Sequence, residues 1–386
     1  MTDSDHEKPH DEREVEALGL SLPLPQEQRR FWVEKGGSRY RLAIYSLIAI
    51  ILGPLSLWLL KRFLTGDAVL LSLRAIKPWP LVGALTFLAI SWSSRLMRVW
   101  YLFRPLAKRI SYRDFVKSYF AGVFASQITP SAVGGYPFFL FLLYRQGIPA
   151  GRSLAISLLD SVNTGLAFLL LLTGGVLSFR THIPEVKGWL PSAMVGMGLL
   201  TGAALALLLF PQTLQRLAYG LSQESHGLVG KLAPWATQAS KELERLQLVT
   251  LYFWSNHRLL LILNFILNLV YWVAYLAVAP LLFLAVGGKA PWPMIVGSQI
   301  ATQFAQYLIP TPGAAGGAEV TMALLVHTLL PEEKLVLFLG LWRFCTYYIS
   351  LIGTSLTIPW VLRLLRSQAS GRDGEEAPKA PQPQGV

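Results

Sequence analysis

The chain has 386 residues, 53% of them apolar and only 15% charged, with a mean hydropathy of +0.45, which excludes an ordinary soluble domain and indicates a multi-pass membrane protein. The net charge of +12 would suit nucleic acid, but the lysines and arginines flank apolar segments, where they orient helices and meet anionic headgroups, so no nucleic-acid partner is expected. The single cysteine, Cys345, lies within an apolar run, which leaves no disulfide framework and no thiolate metal centre.

Residues 1–30 are polar and rich in acid near their start (Asp3, Asp5, Glu7, Asp11, Glu12, Glu14, Glu16), with no signal-peptide pattern, and residues up to 40 are read with them. They are expected to form a disordered cytoplasmic tail. Residues 41–366 read as one transmembrane domain. Leu42–Leu60 is a first span, closed by Lys61 and Arg62, and Trp79–Phe103 a second, with Arg95 and Arg98 in its last turns. Residues 104–117 carry Arg104, Lys108, Arg109, Arg113 and Lys117 and read as a cytoplasmic interfacial segment.

Tyr119–Tyr144 contains a break, Thr129-Pro130-Ser131-Ala132-Val133-Gly134-Gly135-Tyr136-Pro137. Proline removes a backbone donor and glycine lowers helix propensity, so this run predicts two arms of about ten residues, each rising about 15 Å. Leu154–Phe179 and Leu190–Phe210 follow as full spans. In the polar stretch 211–258, Leu243, Leu246 and Val249 at helical spacing beside charged neighbours predict a surface helix. Leu259–Val286 spans again. Met294–Leu330 carries a second break, Pro310-Thr311-Pro312-Gly313-Ala314-Ala315-Gly316-Gly317-Ala318-Glu319, with the arriving helix stopping near Pro310 and a new one starting near Gly317. Leu335–Leu362 is the last span, and residues 367–386, rich in Pro, Gly, Gln and charge, read as a disordered tail.

In both breaks a proline stands four residues before a Gly-Gly pair, Pro130 to Gly134 and Pro312 to Gly316, and the two copies lie 182 residues apart. Interrupted apolar segments at matching places in two halves point to a transporter's binding site. If both segments re-enter on one side, 19 basic residues near the membrane fall inside and 8 outside, whereas full spans give 15 and 12; the positive-inside rule therefore selects re-entry. The expected fold is an all-α polytopic helix bundle with two re-entrant broken helices in inverted repeats and both termini cytoplasmic.

Polar residues recur at helical intervals after each break. Ser153, Ser157, Asp160 and Thr164 share one helix face, and Arg343, Tyr347, Ser350 and Thr354 repeat the interval, with Asp160 and Arg343 at nearly equivalent places beyond Gly135 and Gly317. An intramembrane charge costs at least ~2.5 kcal/mol, so Glu319 is expected to pair with Arg343, and Asp160 with Arg95 or Arg98. Such pairs are either functional or braces for the hairpins. The stripes Gln299, Gln303, Gln306 and Asn264, Asn268, Tyr271, Tyr275 read as interhelical hydrogen-bonding groups.

The helix starts at Gly135 and Gly317 leave unpaired amides and a positive dipole end, which favour an anion. The expected substrate-binding residues are therefore Pro130, Gly134, Gly135, Asp160, Pro312, Gly313, Gly316, Gly317, Glu319, Arg343 and Tyr347, and the expected ligand is the anionic headgroup of a membrane lipid. His182, His257 and His327 lack metal-ligand spacing, and no zinc-protease motif, P-loop or catalytic carboxylate pair is present. No catalytic residue, metal or cofactor is expected.

From about Arg41 to Leu365 the chain resembles the transmembrane region of lysylphosphatidylglycerol synthases, the flippase-like domain. The resemblance rests on Thr129–Pro137, on Pro310–Gly313 with Gly316–Glu319, and on Trp342-Arg343-Phe344-Cys345-Thr346-Tyr347-Tyr348 with Gly353. It implies a plasma-membrane protein that moves lipids between leaflets, here without the aminoacyltransferase domain that some members carry fused. Ser157 stands where relatives often have arginine, and Ala314-Ala315 where Gly-Leu is commoner. The leading reading is translocation of an anionic or polyprenyl-linked lipid. A membrane scaffold or regulatory subunit, and an intramembrane transferase on a lipid-linked substrate, are the alternatives.

Overall fold

The structure is a computed structural model that describes residues 76–105, 110–179, 247–289 and 291–370, with a few isolated positions between 192 and 202. The expected span at 42–60, most of that at 190–210, the tail to residue 40, Leu243 and Leu246, and the stretch after Ser370 lie outside the described residues.

Among the described residues the fold is all α-helix, an apolar membrane bundle without strands. α1 (Pro78–Phe103) begins with proline at its first turn, where a missing N–H costs nothing. α2 (Tyr112–Ile128) is capped by Ser111, whose hydroxyl accepts from the Asp114 N–H at 3.2 Å. The first break follows, then α3 (Gly135–Arg145) and α4 (Ala150–Phe179). A helix over 247–256 buries Val249 and Phe253 and exposes Leu251 and Trp254. α5 (Arg258–Ala285), α6 (Trp292–Leu308), the second break and α7 (Gly317–Val326) come next, with a 3-10 turn at His327–Leu329. The chain closes with α8 (Glu332–Arg343), a π-helical turn at Phe344–Tyr348, α9 (Ile349–Ser355) and α10 (Ile358–Ser370). Among the described residues four segments are long and apolar enough to cross a membrane: Pro78–Phe103, Gly151–Leu171, Arg258–Ala285 and Glu332–Leu365.

The order of elements in α1–α4 recurs in α5–α9: a long helix, a broken pair, then a long helix. The packing recurs too. α1 lies along its counterpart α5; α2 packs on α9, and α6, its counterpart, packs on α4.

Each broken segment is a helical hairpin. In the first, Gln146 donates to Ser118 Oγ at 2.7 Å, Gly122 packs on Phe139 and Gly135 on Ser126, so the two arms run antiparallel. In the second, Thr302 meets Met322 and Gly317 meets Ile309. The arms are unequal, however: α2 and α6 have 17 residues each, α3 has 11 and α7 has 10. A 17-residue helix rises about 25 Å, longer than the half-bilayer arm expected from apolarity. The extra length of α2 is its first turns, Tyr112–Lys117, whose polar residues read as an interfacial segment and are in fact helical.

The last span also differs from its expectation. It is not one regular helix but is widened by the π turn after Arg343 and interrupted at Leu356–Thr357. The interruption has a cause in Pro359, whose missing N–H cannot close the turn back to Ser355, so the helix restarts with that proline in its first turn. α10 then runs to Ser370, beyond the boundary at 367.

One apolar core, with Phe103, Phe115 and Phe139 in mutual ring contact, packs the end of α1 against the first hairpin and Phe253. A second, around Leu282, Met322, Phe338 and Trp342, packs α5 against the second hairpin and α8.

Candidate functional site

The two hairpin tips share the same turn over Thr129–Val133 and Thr311–Ala315 and part at the next position, where Gly134 has φ −75° and Gly316 φ +85°. Ala132 N–H donates to Thr129 O at 3.2 Å and Ala314 N–H to Thr311 O at 2.9 Å; Val133 N–H donates to Pro130 O at 3.3 Å and Ala315 N–H to Pro312 O at 3.2 Å. Both tips place two successive residues in the left-handed region, Ser131 and Ala132 at φ 50° and 57°, Gly313 and Ala314 at φ 59° and 52°. The tips touch: Pro130 and Pro312, equivalent in the repeat, form an isolated antiparallel bridge.

Tyr347 ties this junction together. Its hydroxyl donates to Gln127 O at 3.3 Å, on the first hairpin, while its ring fills the space where a Cβ on Gly313 would lie, 2.3 Å from Cε2. Gln127 also donates to Ser350 Oγ. Gly313 is therefore required twice, by its positive φ and by the ring against it.

Arg343 sits beside this junction, 2% exposed, with its guanidinium 4.4 Å from the Tyr347 ring. It donates to Gly313 O and holds Nε 2.8 Å from Glu319 Oε1, as an ion pair too oblique to be a hydrogen bond. Glu319 turns its other oxygen to the start of its own helix, where Oε2 accepts from the Gly316 N–H at 2.8 Å. The pairing expected for these two residues is present. The α7 start is filled by this carboxylate, a role that glutamate three residues into a helix signals in sequence and that the charge argument passed over.

The other glycines serve close packing. A Cβ on Gly134 would lie 2.6 Å from Thr129, one on Gly135 2.6 Å from Ser126, and one on Gly317 2.3 Å from Ile309; Gly316, at φ +85°, faces open space.

Asp160 belongs to a second cluster. It is 1% exposed, its Oδ2 lies 3.5 Å from Arg98 Nη2, and its Oδ1 accepts from Asn264 Nδ2 at 3.0 Å. Arg98 donates to Thr164 Oγ1, which donates to Asn268 Oδ1 at 2.9 Å; Asn163 reaches Asn264 at 2.9 Å. The asparagine stripe thus does more than join helices, since it holds the acidic partner. Arg95 lies about 6.0 Å from the rings of Trp92, Tyr119 and Tyr271. Tyr119 and Tyr136, absent from the expected site, stand within electrostatic range of Arg95, Arg98 and Asp160. Nothing in their spacing separates them from ordinary core or interfacial aromatics.

Gln299 behaves as the glutamine stripe predicts and goes further: its side chain accepts from Ala279 N–H at 3.2 Å and donates to Tyr275 O at 2.9 Å. It thereby inserts into α5 next to Pro280, where the helix already lacks a donor.

The family model for the lysylphosphatidylglycerol synthase TM region matches residues 46–353. The chain belongs to that family. A membrane protein of Archaeoglobus fulgidus, described as UPF0104, is 26% identical over 294 residues, which cover 74% of this chain and 87% of that protein. As a family member with four segments among its described residues long and apolar enough to cross a membrane, this chain is a multi-pass membrane protein with a membrane lipid-related role.

Proposed function

We propose that the protein moves an anionic or polyprenyl-linked phospholipid between leaflets, its headgroup passing between the two hairpin tips while the tails stay in the bilayer. On this reading the hairpins re-enter the membrane from opposite faces as inverted repeats, both termini are cytoplasmic, the membrane is the plasma membrane and no covalent chemistry is performed. The observation that carries it is the meeting of equivalent residues, Pro130 and Pro312, in an antiparallel bridge beside a buried arginine. Two like loops at matching places in the chain, broken where protein surrounds them, suit an alternating-access site. Pro130, Gly134, Gly135, Pro312, Gly313, Gly316 and Gly317 shape the passage; Arg343, Tyr347, Asp160 and Glu319 supply its polar groups.

The test uses purified protein in liposomes with fluorescent anionic and zwitterionic lipids, read as loss of leaflet asymmetry. Bridged strand residues bring Cα atoms within about 5.5 Å, inside disulfide range, so Pro130→Cys with Pro312→Cys, in a Cys345→Ala background, should cross-link on oxidation. Lipid movement is expected in the reduced form and lost in the oxidised one. A protein that moves no lipid, or moves it equally when cross-linked, overturns the reading.

A further inference from the structure

The two buried carboxylates are held differently. Both oxygens of Glu319 are engaged, at 2.8 Å from Arg343 Nε and 2.8 Å from the Gly316 amide nitrogen. Asp160 has one oxygen on Asn264, while Oδ2 has only the 3.5 Å approach of Arg98 and no hydrogen bond. On the same face of α4, one and two turns earlier, the hydroxyls of Ser157 and Ser153 are buried and also lack partners, as does Nε of Arg98. A buried ion pair is stable only when its remaining lone pairs and protons are satisfied. Here three oxygens and a guanidinium nitrogen are left over.

The surroundings determine what would use them. Arg95 and Arg98 come from α1, Tyr119 from α2, Tyr136 from the start of α3 and Tyr271 from α5; α6, which also packs on α4, has no Asp, Glu, His, Lys or Arg in its sequence. The cluster holds two cations and one carboxylate. A proton on Oδ2 would cancel the carboxylate and add a donor on the serine face, leaving the guanidinium of Arg98 without its counter-charge. A monoanionic phosphodiester arriving with that proton restores the buried charge to its former value, which an apolar surrounding demands.

We propose that Asp160 and Arg98 form a proton-linked anion site, in which a proton taken from water onto Asp160 Oδ2 releases Arg98 to a phosphodiester headgroup. This rests on the lipid-translocation reading and adds its coupling: one proton accompanies each monoanionic headgroup, and Glu319 is a fixed helix cap rather than a proton carrier.

Calorimetry of the full chain in detergent tests this, titrating dihexanoyl phosphatidylglycerol in two buffers of different ionisation enthalpy. Wild type should take up close to one proton per lipid bound, with affinity rising up to about tenfold per unit fall in pH. Asp160→Asn, which keeps an acceptor for Asn264, should bind without uptake and without pH dependence, whereas Glu333→Gln, at an exposed carboxylate outside the passage, should keep both. Uptake with dimethyl phosphate as well assigns the site to the phosphodiester itself; uptake with the lipid alone assigns it to the whole headgroup. Absence of binding or of uptake in wild type, or uptake that persists in Asp160→Asn, overturns the proposal even if liposomes show lipid movement. Uptake that depends on Asp160 in a protein that moves no lipid supports the site and refutes transport. The wild-type measurement decides the matter even if the variants fail to fold.

Discussion

Removing the Arg343 side chain offers the sharpest check on the second hairpin. Arg343→Ala deletes the guanidinium 2.8 Å from Glu319 Oε1 and leaves a carboxylate that is 1% exposed without its counter-charge, with the Gly316 N–H still on Oε2. Breaking one partner of a buried pair costs about 3–5 kcal/mol, and Gly313 O loses its donor as well. Glu319→Gln alone should cost a similar amount by stranding Arg343. The double variant Arg343→Met with Glu319→Gln keeps volume and removes both charges, so most of the loss should return, to within about 1–2 kcal/mol of wild type. Unfolding in mixed micelles with increasing dodecyl sulfate, followed by the fluorescence of the 12 tryptophans, measures all three. A strongly non-additive cycle is the expected result. An Arg343→Ala protein less than about 1 kcal/mol below wild type, or a double variant as weak as the sum of the singles, would refute the claim that the pair is buried and mutually dependent.

Gly135→Ala drives a Cβ to 2.6 Å from the Ser126 Cβ and should destabilise the first hairpin by about 1–3 kcal/mol in the same assay, with partial recovery on adding Ser126→Gly. Gln299→Leu leaves the Ala279 N–H and Tyr275 O beside Pro280 without their side-chain partner and should cost about 1–3 kcal/mol; Gln299→Glu should recover only the acceptor. In intact cells carrying the Cys345→Ala change, a cysteine replacing exposed Arg113 should react with an impermeant maleimide only after lysis, and one replacing exposed Glu333 should react from outside; the same sidedness at both positions would contradict oppositely inserted hairpins.

Much of this architecture was legible because proline and glycine punctuate helices. The observed ends at Ile128 and Leu308 and restarts at Gly135 and Gly317 fall where Pro130, Pro310 and the Gly-Gly pairs require them. The ion pairs were legible from the cost of an intramembrane charge. The start of α2 at Tyr112 was not, since polar first turns look interfacial whether or not they are helical. Neither was the π turn after Arg343, which leaves the apolar pattern almost unchanged. Contact between the tips could not be read at all: Pro130 and Pro312 are brought together by the packing of α2 on α9 and of α6 on α4, and no local signal encodes that. Asn264 and Asn268 were placed on the right face, but spacing does not tell a helix linker from the residue that steadies Asp160.

Three residues with side chains, Ser131, Ala132 and Ala314, adopt left-handed backbone at the two tips. Each such residue carries roughly 1–2 kcal/mol of steric tension that persists only while its surroundings enforce it. The loops therefore resemble loaded springs pressed against one another, and a state with the tips parted regains that energy. Glycine at Ala132 and Ala314 would unload both springs, deepening the closed basin relative to the open one. A protein so altered should be sturdier and slower to part its tips.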